Sequence, residues 1–311
     1  MKTLRVGTRG SSLALTQTIW VVEKIKARHT GVEVEIVTIK TAGDRLQEVA
    51  LSKIGGKGVF VKEIEENLLA GDVDFAVHSL KDVPAAVPEG LVVGVIPKRE
   101  DPRDVLISRD NVSLDELPAG ARVGTGSLRR GIQLRHHFPQ IRVVPIRGNL
   151  DTRIRKIETD GLDGVVVAAA GINRMGWGAK ATQFIPPELI VPAVGQGALA
   201  VEVREGDNET RSVLSFLDDE DSRLAVTAER AFLKVFGGGC QLPIAAHAER
   251  RGADVVLTGL VGNLDGSIIV RDRVSGPAPG CEALGRELAA RILAEGGREI
   301  LEEVCRCSGQ E

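Results

Sequence analysis

The chain has 311 residues, of which 43% are hydrophobic and 27% charged, with a formal net charge of −3. This is the composition of a globular protein of two or three domains, not of a disordered, collagen-like or disulfide-built chain, and no apolar run approaches the ~18 residues of a membrane span. Near-neutral net charge makes nucleic acid no obvious partner for the chain as a whole, and 3% aromatics argue against single-strand stacking platforms. Nothing near Met1 has the pattern of a secretion signal, so the expected compartment is the cytoplasm, with no membrane partner.

Leu4–Gly7 reads as a short strand, and Ser11 as the cap of a helix whose face carries Leu15, Ile19, Val22 and Ile25. Val32–Ile39 alternates as a strand, residues 41–58 read as a loop ending in Gly55-Gly56-Lys57-Gly58, Val59–Ala70 as a helix and Val73–Val77 as a buried strand. Strands alternating with helices imply a mostly parallel, helix-covered sheet. The opening pattern then returns: Arg5-Val6-Gly7-Thr8-Arg9-Gly10-Ser11 is echoed by Arg122-Val123-Gly124-Thr125-Gly126-Ser127. Helix 127–137, strand 141–146, helix 149–157 and strand 164–169 follow it. Proline-marked segments at 96–102 and 190–203 join the two copies. The expected fold class is therefore α/β: two similar hinged α/β lobes plus a third, smaller α+β domain. Residues 1–98 and 198–217 would form the first lobe, 99–197 the second and 218–311 the C-terminal domain. In that last domain, Leu224, Ala228, Ala231, Phe232 and Val235 make one helical face closed by Gly237-Gly238-Gly239. Strands near 243–249, 253–261 and 267–274 precede a helix from Glu282 to Ala294.

Arginine outnumbers lysine 28 to 12, and nine basic residues against the single acid Asp151 fall within 122–156. Arg135 and Lys156 fit a solvated helix face. Arg129, Arg130 and Arg147 fit it poorly, because they follow strand ends or a helix start, where open α/β sheets bind ligands and helix dipoles favour anions. Arg9 holds the same position in the first copy, so an anion cleft is expected between the lobes. Ser79, Lys81 and Asp82, in His78-Ser79-Leu80-Lys81-Asp82-Val83-Pro84, would point into it, with His78 packing behind. A carboxylate among arginines suits a ligand that also donates N–H groups or develops positive charge; the plain alternative pairs Asp82 with Lys81 or an arginine. Cys240 follows three glycines, which is either a helix cap with a small buried residue or a thiol placed to tether a group. Cys305-Arg306-Cys307 is too closely spaced for a metal site, and no metal is expected. Two hinged lobes about an anion cleft also describe a non-catalytic, periplasmic-binding-protein-like receptor for a small polycarboxylate.

Larger motifs decide between these. Gly7-Thr8-Arg9 with Ser11, Lys53–Gly58, Phe75–Pro84, Arg99–Asp104, Gly124–Arg130, Arg147-Gly148-Asn149 with Thr152-Arg153, Pro192–Gly197, Ala228-Glu229-Arg230 and Gly238–Gln241 run in order along the chain. In this series the chain resembles the porphobilinogen deaminase (hydroxymethylbilane synthase) family. The resemblance implies a transferase of tetrapyrrole biosynthesis that joins four porphobilinogen molecules head to tail, releases ammonia and yields hydroxymethylbilane. It implies one dipyrromethane cofactor, thioether-linked to Cys240 and contacted by Thr125, Ser127, Arg129, Arg130, Arg147, Arg153, Lys81 and Asp82. Asp82, with Lys81, matches the catalytic position; Arg9, Ser11, Lys57, Arg147, Arg153 and Arg174 match substrate-binding positions. A monomer that passes its product to uroporphyrinogen-III synthase is likewise implied. One departure is Gly126, where the family usually has serine.

Overall fold

The computed structural model describes residues 2–45, 58–237 and 242–307. The first sheet is built from β1 (Lys2–Arg9), α1 (Ser12–Arg28), β2 (Val32–Ile39), the single-turn α2 (Ala42–Arg45), α3 (Lys62–Ala70), β3 (Phe75–Ser79) and β4 (Leu91–Val95). The chain then crosses to a second sheet: β5 (Asp104–Ser108), β6 (Arg122–Thr125), α4 (Leu128–His137), β7 (Arg142–Pro145), α5 (Leu150–Thr159), β8 (Gly164–Ala168), α6 (Ala169–Arg174) and β9 (Gln183–Ile185). It returns as β10 (Leu199–Arg204) and α7 (Asn208–Leu214). A third unit follows, with α8 (Glu220–Val235), β11 (Ile244–Arg251), β12 (Asp254–Gly262), β13 (Ile269–Pro277), α9 (Cys281–Ile292) and α10 (Arg298–Cys307).

The strand orders are β2-β1-β3-β10-β4 and β7-β6-β8-β5-β9, the same sheet position for position. In each, the first three strands are parallel and the fourth is antiparallel. That fourth strand is the one reached by crossing over from the other sheet. The sequence echo has a local cause as well: Ser11 accepts a hydrogen bond from the Ala14 N–H and Ser127 from the Arg130 N–H. Each serine thereby satisfies a helix-start donor that has no partner inside the helix.

Both sheets are covered on two faces, so adjacent strand residues enter different cores. Leu106, Val123 and Val166 pack with Leu134 on one side, whereas Val105 and Val165 pack with Ile172 on the other. In the first sheet Val6, Phe75 and Val201 meet Val21 and Ile25 of α1. The antiparallel β11-β12-β13 sheet buries Leu257 and Val274 against Phe232 of α8 and Leu288 of α9. No helix among the described residues is long and apolar enough to cross a membrane.

Several sequence expectations shift. The helix expected from Val59 starts at Lys62, because Gly58–Val61 form a turn in which the Gly58 carbonyl accepts from both Val61 and Lys62. The strand expected at Val73–Val77 runs Phe75–Ser79: Asp74 is held outside it, its carboxylate accepting the Arg5 N–H. Of the expected loop 41–58, Ala42–Arg45 form a helical turn and residues 46–57 lie outside the described residues. The connector expected at 190–203 contains most of β10; its proline, Pro192, precedes a strand buried from Leu199 to Val203. Beyond Ala294, where no element was expected, α10 lays Ile300 and Val304 on the third core. Arg135, expected on a solvated face, donates to the Leu264 carbonyl in the β12–β13 connection.

Candidate active site

A cavity of about 720 Å³ opens at the carboxyl ends of strands from both five-stranded sheets. Arg9 at the end of β1, Ser11 at the start of α1, and Ser79, Lys81 and Asp82 after β3 line it from the first sheet. Arg130, Arg147, Arg153 and Arg174 line it from the second. Lys81 and Asp82 belong to a 3₁₀ turn, Leu80–Asp82, pinned by the buried Leu80 side chain and by its N–H, which donates to the Ala198 carbonyl. The anchor points inward, so its two charged neighbours are turned to the cavity. His78 stays behind the turn, with Nε2 3.1 Å from Glu202.

The cavity walls carry excess positive charge. Among the described residues no carboxylate accepts a hydrogen bond from Arg147, Arg153 or Arg174; Arg153 donates to the Gly148 carbonyl and Arg174 to the Gly197 carbonyl. Burial pushes the pKa of Arg174 down to about 10, with Glu100 acting the other way. Burial also pushes Arg153 down to about 10, with the cations of Arg130 and Arg147 adding to it and Asp82 opposing. Burial lowers Arg147 too. Lys81 falls to about 8, chiefly through burial, with the charge of Asp82 opposing. All remain largely cationic at neutral pH. Desolvated charge without an opposite partner is costly, and an anionic ligand would recover that cost.

Arg129 and Arg130 differ from these three. Both are 4% exposed and converge on the fully buried Asp104, with Arg129 Nη1 2.7 Å from Oδ2 and Arg130 Nε 2.9 Å from Oδ1. Burial would raise the Asp104 pKa, but the two guanidiniums outweigh it and hold the carboxyl well below the usual range. Gln196 completes the cluster, accepting from both arginines and donating to Asp104. Arg129 does not line the cavity, because its fork is taken by Asp104 and the Val191 carbonyl; Arg130 does.

Thr125 and Ser127, expected as cofactor contacts, are also outside the lining. The buried Thr125 hydroxyl accepts the Ser127 N–H, and the Ser127 hydroxyl caps α4, so both shape the turn that delivers Arg130. At Gly126 a Cβ would stand 2.5 Å from the Ile146 carbonyl oxygen, so the turn lies hard against the end of β7. Lys57 and Cys240 lie outside the described residues.

Sequence reasoning passed over Asp44 and Phe60, and gave no role to Asp104 and Gln196 although both lie in the motifs Arg99–Asp104 and Pro192–Gly197. It also left the motif residue Arg230 without a role. Arg230 reaches from α8 to the carbonyls of Pro84 and Ala85, just beyond Asp82.

Two family models match this chain: "Porphobilinogen deaminase, dipyromethane cofactor binding domain" over residues 4–212 and "Porphobilinogen deaminase, C-terminal domain" over residues 223–294. The porphobilinogen deaminase of Syntrophus aciditrophicus (strain SB) is 56% identical, over 97% of this chain and 98% of its own length. That of Bacillus subtilis (strain 168) is 49% identical over 98% of each. Among solved structures, the methionine-binding protein MetQ aligns with a TM-score of 0.42 at 16% identity, over 76% of this chain and 95% of that one. A YaeC-family lipoprotein from Enterococcus faecalis V583 aligns with a TM-score of 0.40 at 17% identity, over 70% and 91%.

Proposed function

This chain belongs to the porphobilinogen deaminase family, and from that premise we propose how its cleft performs the family's transferase reaction, in which porphobilinogen units are joined with loss of ammonia. The observation that carries the reading is the set of half-buried guanidiniums, Arg147, Arg153 and Arg174, that have no carboxylate partner among the described residues, around one turn bearing Lys81 and Asp82.

Each porphobilinogen carries an acetate and a propionate, so a growing chain is a polyanion with pyrrole N–H donors along its spine. Arg147, Arg153 and Arg174, with Arg9 and Ser11 across the cleft, would bind its carboxylates. Asp82 would accept pyrrole N–H bonds and stabilise the positive charge that develops on a pyrrole as ammonia departs. A preorganised carboxylate beside developing cation is electrostatic catalysis. Lys81 would place its ammonium on a carboxylate nearby. Asp104 and Gln196 hold Arg129 and Arg130 rigid, so Arg130 would face the ligand while Arg129 supports it.

The family's dipyrromethane fits this donor set: it brings four carboxylates and two N–H groups to a cavity rich in uncompensated cations and holding Asp82. We place its thioether at Cys240, with Lys81, Asp82, Arg130, Arg147 and Arg153 as contacts. When bound, it supplies the pyrrole carbon to which the first substrate unit is joined. We further propose the bounds 1–98 with 198–217, 99–197 and 218–311 for the three domains, a cytoplasmic monomer, and transfer of the product to uroporphyrinogen-III synthase.

Intact mass of the purified chain is the test. It should exceed the sequence mass by two porphobilinogen units less two ammonias, and Cys240→Ser should lack the addition and be inactive. An adduct on Cys281, Cys305 or Cys307, or a solute released intact on unfolding, would refute the assignment.

A further inference from the structure

Seven basic side chains and three carboxylates line the cavity among the described residues. Of those carboxylates, Asp82 adjoins Lys81 in the 3₁₀ turn and Asp151 pairs outward with Arg155. Asp44 is different, because it occupies the guanidinium fork of a cleft arginine. Arg9 donates to it through Nε, at 3.2 Å from Oδ1, and through Nη2.

We propose that Asp44 is a resident stand-in for a substrate carboxylate at Arg9: it fills the guanidinium fork until a pyrrole acetate or propionate takes the fork over, and so sets how tightly substrate is held there. This rests on reading Arg9 as a substrate arginine.

Three observations support exchange over a permanent pair. First, the Arg9 and Asp44 side chains are 22% and 21% exposed, whereas Asp104 is wholly buried beneath Arg129 and Arg130. A partly accessible pair is weaker and breaks at less cost than a fully buried one. Second, Asp44 has other partners to keep. Its Oδ2 accepts from the Thr41 hydroxyl at 2.8 Å and from the Thr41 N–H at 3.3 Å, so a displaced carboxylate is not left unsatisfied. Third, Arg9 stays in place without Asp44, because its guanidinium lies 4.3 Å from the centre of the Phe60 ring, a cation–π contact. The turn holding Asp44 is itself fixed, with Gly43 N–H donating to the Val59 carbonyl and Ala42 N–H to Glu63.

The cleft thus holds two kinds of anion receptor. Arg147, Arg153 and Arg174 are open to a carboxylate at once; Arg9 yields its fork only in exchange. A receptor of the second kind binds each incoming unit less tightly, which suits a site that must accept and then pass on successive units.

The experiment is steady-state kinetics of the cofactor-loaded protein with porphobilinogen, with melting curves for every variant. Asp44→Asn, and Asp44→Ser as a second neutral variant, should lower KM by up to about fivefold, the scale of a weak ion pair that solvent partly reaches, without raising kcat. Asp44→Glu, which keeps the charge, should return KM toward the parent. Arg9→Leu should raise KM, and adding Asp44→Asn to it should change nothing further. If both neutral variants melt like the parent and KM stays or rises while Arg9→Leu still raises it, Asp44 is a fixed support for Arg9 and the exchange is refuted. If Arg9→Leu leaves KM unchanged, the substrate role of Arg9 falls, and the exchange with it.

Discussion

Arg99 and Glu229 face each other where all three structural units meet. Arg99 Nη1 lies 2.6 Å from Oε1 of Glu229 and Nη2 lies 3.2 Å from Oε2, and the Glu229 side chain has no exposed surface. The same carboxylate accepts the N–H of Gly195 and that of Ala248. Arg99 stands on the outgoing crossover between the sheets, Gly195 on the returning one, and Ala248 on β11, so one side chain fastens both crossovers to the third unit.

Glu229→Gln removes the charge and keeps the shape. It leaves Arg99 10% exposed and uncompensated, a situation that costs about 3–5 kcal/mol. The melting temperature should fall by several degrees, and Arg99→Gln added to it should recover part of the loss. Unchanged melting of the single variant would mean that the crossovers are held by their backbone contacts alone.

Much of the fold was legible because the chain states it twice. The strand, polar turn and capping serine at residues 5–11 and 122–127 are a local signal, and Ser11 and Ser127 cap helices in both places. The crossover strands were not legible: β5 and β10 are short and buried, and prolines in the segments leading to them mark connectors. In the site, Lys81 and Asp82 stood out because a polar cluster follows an apolar strand. Arg129 stood out equally, yet it points at Asp104, since pairing depends on a residue 25 positions away whose motif, Arg99–Asp104, does not say which arginine it meets. Long-range ion pairs leave no local pattern, so the sequence reveals the arginines and conceals which of them are already neutralised.

That distinction yields a second prediction. Arg129→Leu should chiefly destabilise, by about 3 kcal/mol, because the buried Asp104 loses one of its two cations. Arg153→Leu and Arg174→Leu remove desolvated cations that no carboxylate among the described residues pairs with, so they should melt at or above the parent temperature while KM for porphobilinogen rises at least tenfold. Melting curves beside initial rates separate the two classes; equal destabilisation by all three would dissolve it.

Lys81 gives a prediction in pH. Burial brings its folded pKa down to about 8 from the ordinary lysine value of 10.5, so between those values the unfolded chain binds the extra proton. Lys81 therefore lowers stability below pH 8, and its contribution to stability rises with pH from about 8 to 10.5. Binding runs the other way: the ammonium that attracts a carboxylate is lost as pH rises through 8, so kcat/KM should decline there. Lys81→Arg keeps its charge and should move that decline to higher pH. A decline at the same pH in the Arg variant would assign it to another group.

The decisive residue is Asp82. It shares a pinned turn with Lys81 and lines a cavity whose charged lining is mainly basic; the cations stabilise it, but it would repel a ligand's carboxylates unless it meets the ligand's N–H groups or positive charge that the reaction develops. Loss of ammonia from an aminomethyl pyrrole develops such charge, spreading it over the ring and its N–H. Asparagine has nearly the shape of aspartate but no charge, so Asp82→Asn should fold, still acquire the cofactor, and lose about 10²–10³ in rate, the scale for removing one preorganised electrostatic contact. Asp82→Glu restores the charge one methylene further out and should keep measurable activity. Single-turnover ammonia release is the measurement, after intact mass has shown that each variant carries its cofactor. A fully loaded Asp82→Asn protein that releases ammonia at the parent rate would make Asp82 a structural companion of Lys81 and leave the developing cation to another group.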